Sequence, residues 1–168
     1  TKRYTPSNIP NQPRLLESDI NPERGGITGV YTVLVDGDDF NEPVADATRS
    51  ILDGHIVLTR RLAAQNHFPA IDVLDSKSRV RDLITNEGQR RAGRAMLRLE
   101  AAYREKEDLI MVGAYQRGSD PYVDAAISYR HQVLEFLQQR PDETTLYGDT
   151  YAALTQIAES IEASVQRR

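Results

Sequence analysis

The chain reads as an α/β half followed by an all-α half: a partial parallel sheet with short helices, then a helical domain. Up to residue 80, β-branched runs such as ITGVYTVLV and HIVL alternate with helical patterns and Gly/Asp turns. That order builds a parallel sheet. From Glu87 onward, apolar residues recur at spacings of three, four and seven, the period of a helix. The stretch NHFPAIDVLDSKSRV, residues 66–80, joins the two patterns.

Residues 1–24 are polar and broken by Pro6, Pro10, Pro13 and Pro22, with Leu15 and Leu16 as the only strong apolar anchor. They predict an extended loop with at most one helical turn, closed by Gly25 and Gly26. Residues 27–35 are β-branched and aromatic, apolar on both faces toward the end, which is the pattern of a covered central strand. Asp36, Gly37, Asp38 and Asp39 stop it. Asn41 suits an N-cap, with Glu42 and Pro43 in the first turn of a helix running to Leu52. Asp53 and Gly54 turn into a short strand, 55–58. A short helix follows over 59–65, ended by Asn66. Residues 66–80 then supply a strand that carries an arginine to a sheet edge. About three strands are present, too few for a stable sheet alone, so further strands are expected upstream in a longer protein.

Residues 79–88 are the expected linker, dividing the chain into 1–82 and 83–168. In the second part, Met96, Leu99, Tyr103 and Ile110 mark one helix. Ser119, Asp120 and Pro121 open a second, marked by Val123, Ala126, Ile127, Val133, Leu134 and Leu137. Leu154, Ile157, Ile161 and Val165 mark a third. With turns at 113–118 and 140–142, this predicts a small antiparallel bundle whose helices each bury one face.

Composition narrows function by exclusion. A hydrophobic share of 39% and a charged share of 27% are globular values. A net charge of −4 argues against a nucleic-acid-coating surface. Without cysteine there is neither a disulfide framework nor a thiolate metal site. No run reaches the ~18 apolar residues of a membrane span, and the opening TKRYTPSNIPNQP has no apolar signal core. There is no GxxxxGK[ST], GxGxxG or HExxH. His55, His67 and His131 are far apart in sequence and read as surface or structural histidines. Asp36, Asp38 and Asp39 read as a solvated turn, with a hard cation as the alternative.

Some residues have two readings. Phe68 is either core or, beside Pro69 at a strand's start, a ring that stacks on a flat ligand. Arg79 is either a surface ion-pair arginine or a phosphate ligand, since its planar fork binds two oxygens at once. Arg90, Arg91, Arg94 and Arg98 are a solvated helix face, or meet an acidic partner.

The run GGITGVYTVLVDGDDFNEPVADATRSILDGHIVLTRRLAAQNHFPAIDVLDSKSRV, continued by RRAGRAMLRLEAAYREKEDLIMVGAYQRGSDPYVDAAI, resembles the type III protein-export ATPases. These are the flagellar and injectisome relatives of the rotary ATP synthase catalytic subunit. The likeness covers about residues 1–139. DDFNEP and ILDGHIVL look like the export branch, and GAYQRGSDPYVDAAI looks flagellar more than injectisome. The resemblance implies a RecA-like nucleotide-binding domain followed by a helical C-terminal domain. It implies ATP with Mg as cofactor, a homo-hexameric ring, and stalk, export-gate and chaperone-substrate proteins as partners. It also implies a place in the cytoplasm at the inner face of the bacterial membrane. By the family pattern Arg79 is an arginine finger that reaches the neighbouring subunit's γ-phosphate. Phe68, where the family often has Tyr, packs on adenine, and Tyr147 is the nearest match to a second adenine-facing aromatic after the F-L-x-Q segment.

The departures are as informative. The family's phosphate loop, catalytic glutamate and Walker B aspartate all precede the segment matched by Thr1. Lys2, Arg3, Asn8 and Pro10 leave the family's opening pattern, and Lys77 places an unusual charge beside Arg79. Two expectations follow: a piece of a complete ATPase, or a catalytically empty remnant that docks export proteins.

Overall fold

The computed structural model describes residues 20–21, 25–26, 29–35 and 43–166. The chain forms two compact units, Thr1–His55 and Ile56–Arg168.

In the first unit, β1 (Ile20–Asn21) and β2 (Gly25–Gly26) pair antiparallel, with Ile20 opposite Gly26 and Asn21 opposite Gly25. The expected loop thus contains a tight ladder. The expected central strand at 27–35 is corrected: residues 29–35 join no sheet, and Val30 is 91% exposed. β-propensity describes fit to a pleated, half-buried surface, and without a ladder it does not make a strand. Helix α1 (Pro43–Ile51) carries Pro43 where its missing N–H costs nothing, and buries Ala45 and Thr48. Asn41, Glu42 and the cluster Asp36, Asp38 and Asp39 lie outside the described residues.

Strand β3 (Gly54–Leu58) alternates as a strand should, with Val57 buried and Ile56 and Leu58 exposed. Helix α2 (Arg60–Ala64) starts at Thr59, whose hydroxyl accepts the Leu62 N–H at 3.3 Å. It ends in a Schellman arrangement: His67 N–H donates to Leu62 O and Asn66 N–H to Ala63 O, both at 3.0 Å. Asn66 takes the left-handed φ of 58° that this turn needs, which asparagine tolerates better than most residues. The Phe68–Pro69 peptide is cis. Strand β4 (Ile71–Ser78) pairs with β3. Ser76 links them from its side chain, accepting Val57 N–H at 3.0 Å and donating to Asp72 O at 2.6 Å.

The expected linker holds a one-turn helix, α3 (Arg81–Ile84), before the long helix α4 (Glu87–Met111). Asn86 and Gln89 form a reciprocal capping box at its start, satisfying two N–H groups that would otherwise lack acceptors. Gly113, at φ +71°, ends it with Ala114 N–H on Leu109 O and Gly113 N–H on Ile110 O. The loop to the next helix is fixed by Asp124. Its buried carboxylate accepts Gly118 N–H at 2.8 Å and lies 3.2 Å from the Tyr115 hydroxyl. Asp120 caps α5 (Pro121–Leu137), accepting the Tyr122 and Val123 N–H groups. Helix α6 (Tyr147–Gln166) completes an all-helical core of Met96, Leu99, Ala125, Ala126, Val133 and Ile161.

β4 is fastened to this bundle by charge as well as by packing. Arg104 of α4 donates to the Asp72 carboxylate at 2.6 Å, and Asp72 is only 3% exposed. The Leu74 and Asp75 N–H groups also reach Asp72 Oδ1. Burial alone would raise the Asp72 carboxyl. The Arg104 hydrogen bond and charge with the two backbone donors outweigh it, so Asp72 sits below the ordinary 3.8. Beside it, Arg61 lies 3.6 Å from Glu107, and Arg130 pairs with Glu100 while covering the Tyr103 ring. His67 is 5% exposed, with Nδ1 at 3.3 Å from Gln138 Nε2. Burial, then the Arg130 charge, push the imidazole below its ordinary 6.5, with Glu100 opposing.

Leu99 is fully buried, so Leu99→Ala should cost about 2–5 kcal/mol in urea unfolding. Asp72→Asn should cost about 2–3 kcal/mol, below the usual cost of breaking a buried pair, because Arg104 retains water and Asp75. An unchanged urea midpoint in either variant would remove that residue from the account. Both shifted groups bind protons more readily in the unfolded chain. Stability should therefore be full above 6.5 and fall as pH drops through the lowered His67 value, then again below 3.8 through that of Asp72. Urea midpoints from pH 7.5 to 5 should decline less in His67→Gln, and an identical decline would mean that His67 is not the group responsible.

Candidate functional site

The segment from Phe68 to Arg79 holds two of the three candidate residues at opposite ends of β4. Between them lie the eight residues of the strand, which bulges at 72–76, where the Ser76 hydroxyl donates back to Asp72 O. Phe68 and Arg79 thus lie at opposite ends of β4.

Phe68 is 50% exposed, so its ring is not a core residue. Its position is set through the main chain, where its carbonyl accepts the Gln139 N–H at 2.9 Å, just past the C-terminus of α5. The neighbouring His67–Gln138 contact holds the same junction from the side-chain side. A polar cavity of about 50 Å³ lies behind this junction, lined by His67, Asp72, Glu100, Arg104 and Arg130 among others. It is filled by ion pairs and has little room for a ligand.

Tyr147 opens α6 and is 73% exposed. Its hydroxyl accepts from Gln89 Nε2 at 2.7 Å. Gln89 therefore uses its oxygen in the α4 capping box and its nitrogen to hold the tyrosine. Phe68 is thus anchored at the end of α5 and Tyr147 at the start of α4. Arg79 is exposed between β4 and α3. Two exposed aromatic faces and an exposed guanidinium suit a flat heterocycle and a phosphate respectively. Among the described residues, no cluster of three His, Asp or Glu side chains is placed to hold a metal ion.

The residues that sequence reasoning passed over are Asp72, Arg104, Gln138 and Gln139. Asp72 offered one signal, a lone acid inside the apolar run AIDVL.

The model of the ATP synthase alpha/beta family nucleotide-binding domain matches residues 1–78, and that of the T3SS EscN ATPase C-terminal domain matches residues 85–156. The flagellum-specific ATP synthase of Bacillus subtilis is 50% identical over 157 residues, covering 94% of this chain and 36% of the relative. The SPI-2 type 3 secretion system ATPase of Salmonella typhimurium is 50% identical over 140 residues, covering 83% of this chain and 32% of the relative. A flagellar and a secretion relative thus share the same identity, over 94% and 83% of this chain respectively. The assembled ATPase EscN of the enteropathogenic E. coli type III secretion system superposes with a TM-score of 0.87 at 42% identity, over 91% of this chain and 37% of that one. EscN in complex with its central stalk EscO gives 0.82 at 41% identity, over 92% of this chain and 36% of that one. The chain spans about a third of the length of the curated relatives it matches. With two adjoining family matches, half-identical relatives and a shared fold, the chain belongs to the flagellar and type III secretion ATPases and corresponds to their C-terminal portion.

Proposed function

We propose that this chain works as the C-terminal part of an ATPase that couples ATP hydrolysis to protein export, in a homo-hexameric ring. The observation that carries the reading is the placement of Phe68 and Arg79 at opposite ends of one anchored strand. In that placement a subunit packs adenine with the residue before the strand and reaches a neighbour's nucleotide with the residue after it. In this reading Phe68 and Tyr147 are the adenine-packing residues and Arg79 is the finger. The working division falls between 82 and 83, in the gap between the family matches at 1–78 and 85–156.

The residues present fit ATP in part. The exposed rings of Phe68 and Tyr147 suit its base, and Arg79 suits its phosphates. No cluster among the described residues fits Mg. When bound, ATP supplies the phosphoryl group whose transfer spreads negative charge over the γ-phosphate oxygens. A guanidinium placed there lowers the barrier chiefly in the transition state. Likeness to EscN, solved with its central stalk EscO, supports a stalk protein as partner. Export-gate and chaperone-substrate proteins complete the set, at the cytoplasmic face of the bacterial membrane. No helix among the described residues is long and apolar enough to cross a membrane.

A second reading, a catalytically empty docking module, draws on the likeness to EscN solved in complex with its stalk EscO; these residues, about a third of the relatives' length, contain no GxxxxGK[ST]. The 168-residue chain alone should release no phosphate from ATP above blank, since a phosphate loop does most of the phosphate holding. The two readings separate in a chimera that places the chain behind the phosphate-loop half of the Bacillus subtilis relative. There Arg79→Ala should lower turnover by at least about 10²-fold with little change in KM, and Arg79→Lys should rescue poorly. Mixing this variant with one lacking the phosphate-loop lysine should restore part of the activity, because some interfaces then pair an intact loop with an intact finger. Normal hydrolysis by Arg79→Ala would make Arg79 an ordinary surface arginine, and a chimera that forms rings but never turns over would favour the docking module.

A further inference from the structure

We infer that the basic groove along the N-terminal half of α4 is a docking site for an acidic amphipathic segment of a partner protein. The groove is open, about 530 Å³, and lies apart from Phe68, Tyr147 and Arg79. Arg91, Arg94 and Arg98 line it together with Tyr122, Val165 and one carboxylate, Glu162.

Three observations point to the occupant. First, the chain is acidic overall, with a net charge of −4, yet this helix face gathers three arginines at i, i+3 and i+7. They span two helical turns, about 10 Å, which is the spacing of carboxylates on one face of a second helix. Second, the arginines are incompletely matched from within. Arg94 meets Glu87 at 2.9 Å, but both side chains are more than half exposed. Arg91 reaches Glu162 only at 3.7 Å. Exposed pairs of this kind contribute little and exchange readily. Arg98 has no ion pair among the described residues. Its guanidinium lies 3.7 Å over the Tyr122 ring, which orients the fork while leaving its N–H edges for carboxylate oxygens. Third, the groove is not purely ionic. Ala95, Tyr122 and Val165, all half-buried, give it an apolar floor beside the arginines, with the core residue Ile161 beneath them. A free phosphate has no use for that floor, whereas an amphipathic helix with acids on one edge and leucines on the adjoining face fits both.

A two-turn contact is smaller than a standard stable interface, so the complex is weak, transient and sensitive to salt. Micromolar affinity at low ionic strength is the expected range.

The test uses the full chain and a fluorescein-labelled 16-residue helical peptide of Glu, Leu and Ala, with Glu at i, i+3 and i+7, read by anisotropy. Binding should be saturable, should weaken several-fold between about 50 and 300 mM NaCl, and should vanish for the same peptide with Lys in place of Glu. Arg98→Glu should weaken it at least about tenfold. Because Arg98 also packs on Tyr122, Arg94→Glu, on an exposed part of the helix, serves as the second variant, and circular dichroism reports on the fold of both. Equal binding of the Glu and Lys peptides would overturn the proposal. So would affinity unchanged in both folded variants, or no binding up to about 1 mM peptide. If the chain instead binds phosphatidylglycerol vesicles and not the peptide, the face is a membrane surface. If sedimentation shows a dimer that Arg94→Glu dissociates, the occupant is a second copy. Either result overturns the assignment to an acidic partner.

Discussion

The buried pair between Asp72 and Arg104 is the constraint on which the candidate site depends. A carboxylate that is 3% exposed is costly to hold charged unless donors surround it, and here a guanidinium and two backbone N–H groups do so. The pair also fixes register. A one-residue slip of β4 would turn Asp72 to the opposite face and bring an apolar neighbour, Ile71 or Val73, against Arg104. Because both ends of the strand carry candidate residues, the same contact sets how far Phe68 and Arg79 stand from the helical core. Ser76, bound to Asp72 O and to Val57 N, extends that register to β3.

Helix α4 is where these demands meet. One face presents Ala92, Met96 and Leu99 to the core. A second presents Glu100, Arg104 and Glu107 to the ion pairs that hold α2, β4 and α5. A third carries Arg91, Arg94 and Arg98. At 25 residues, roughly 37 Å, the helix is long enough to keep these roles on separate faces. Its capping box makes the start well defined, which matters because Gln89 of that box also holds Tyr147.

Much of this was legible in the sequence where the determinants are local. Asp120-Pro121 announces a cap and a first turn, Gly113 and Asn66 mark helix ends, and the apolar period gives the three long helices. Failure came where pairing is non-local. Residues 29–35 have strong β-propensity yet join no sheet, since a ladder depends on neighbours that the run itself does not encode. α3 was read as linker because a four-residue helix offers neither an apolar period nor a side-chain cap. Asp72 was overlooked for a similar reason. Its partner lies 32 residues away, and a single acid in an apolar run does not say whether it faces water or an arginine. Arg79 and Phe68 were singled out by neighbouring residues and by family likeness; the exposure of each is a property that only the fold supplies.

The manner in which the two aromatics are held bears on what they can do. Neither is fixed through its ring face. Phe68 is positioned by its carbonyl, and Tyr147 by its hydroxyl. Both anchors lie off the ring faces, and the rings stay half and three-quarters exposed respectively. The carbonyl anchor is also indifferent to ring chemistry. The Gln139 N–H bond is made to the main chain of residue 68 and does not involve its ring. The ring at this position can therefore change without disturbing the junction between β4 and the helical bundle.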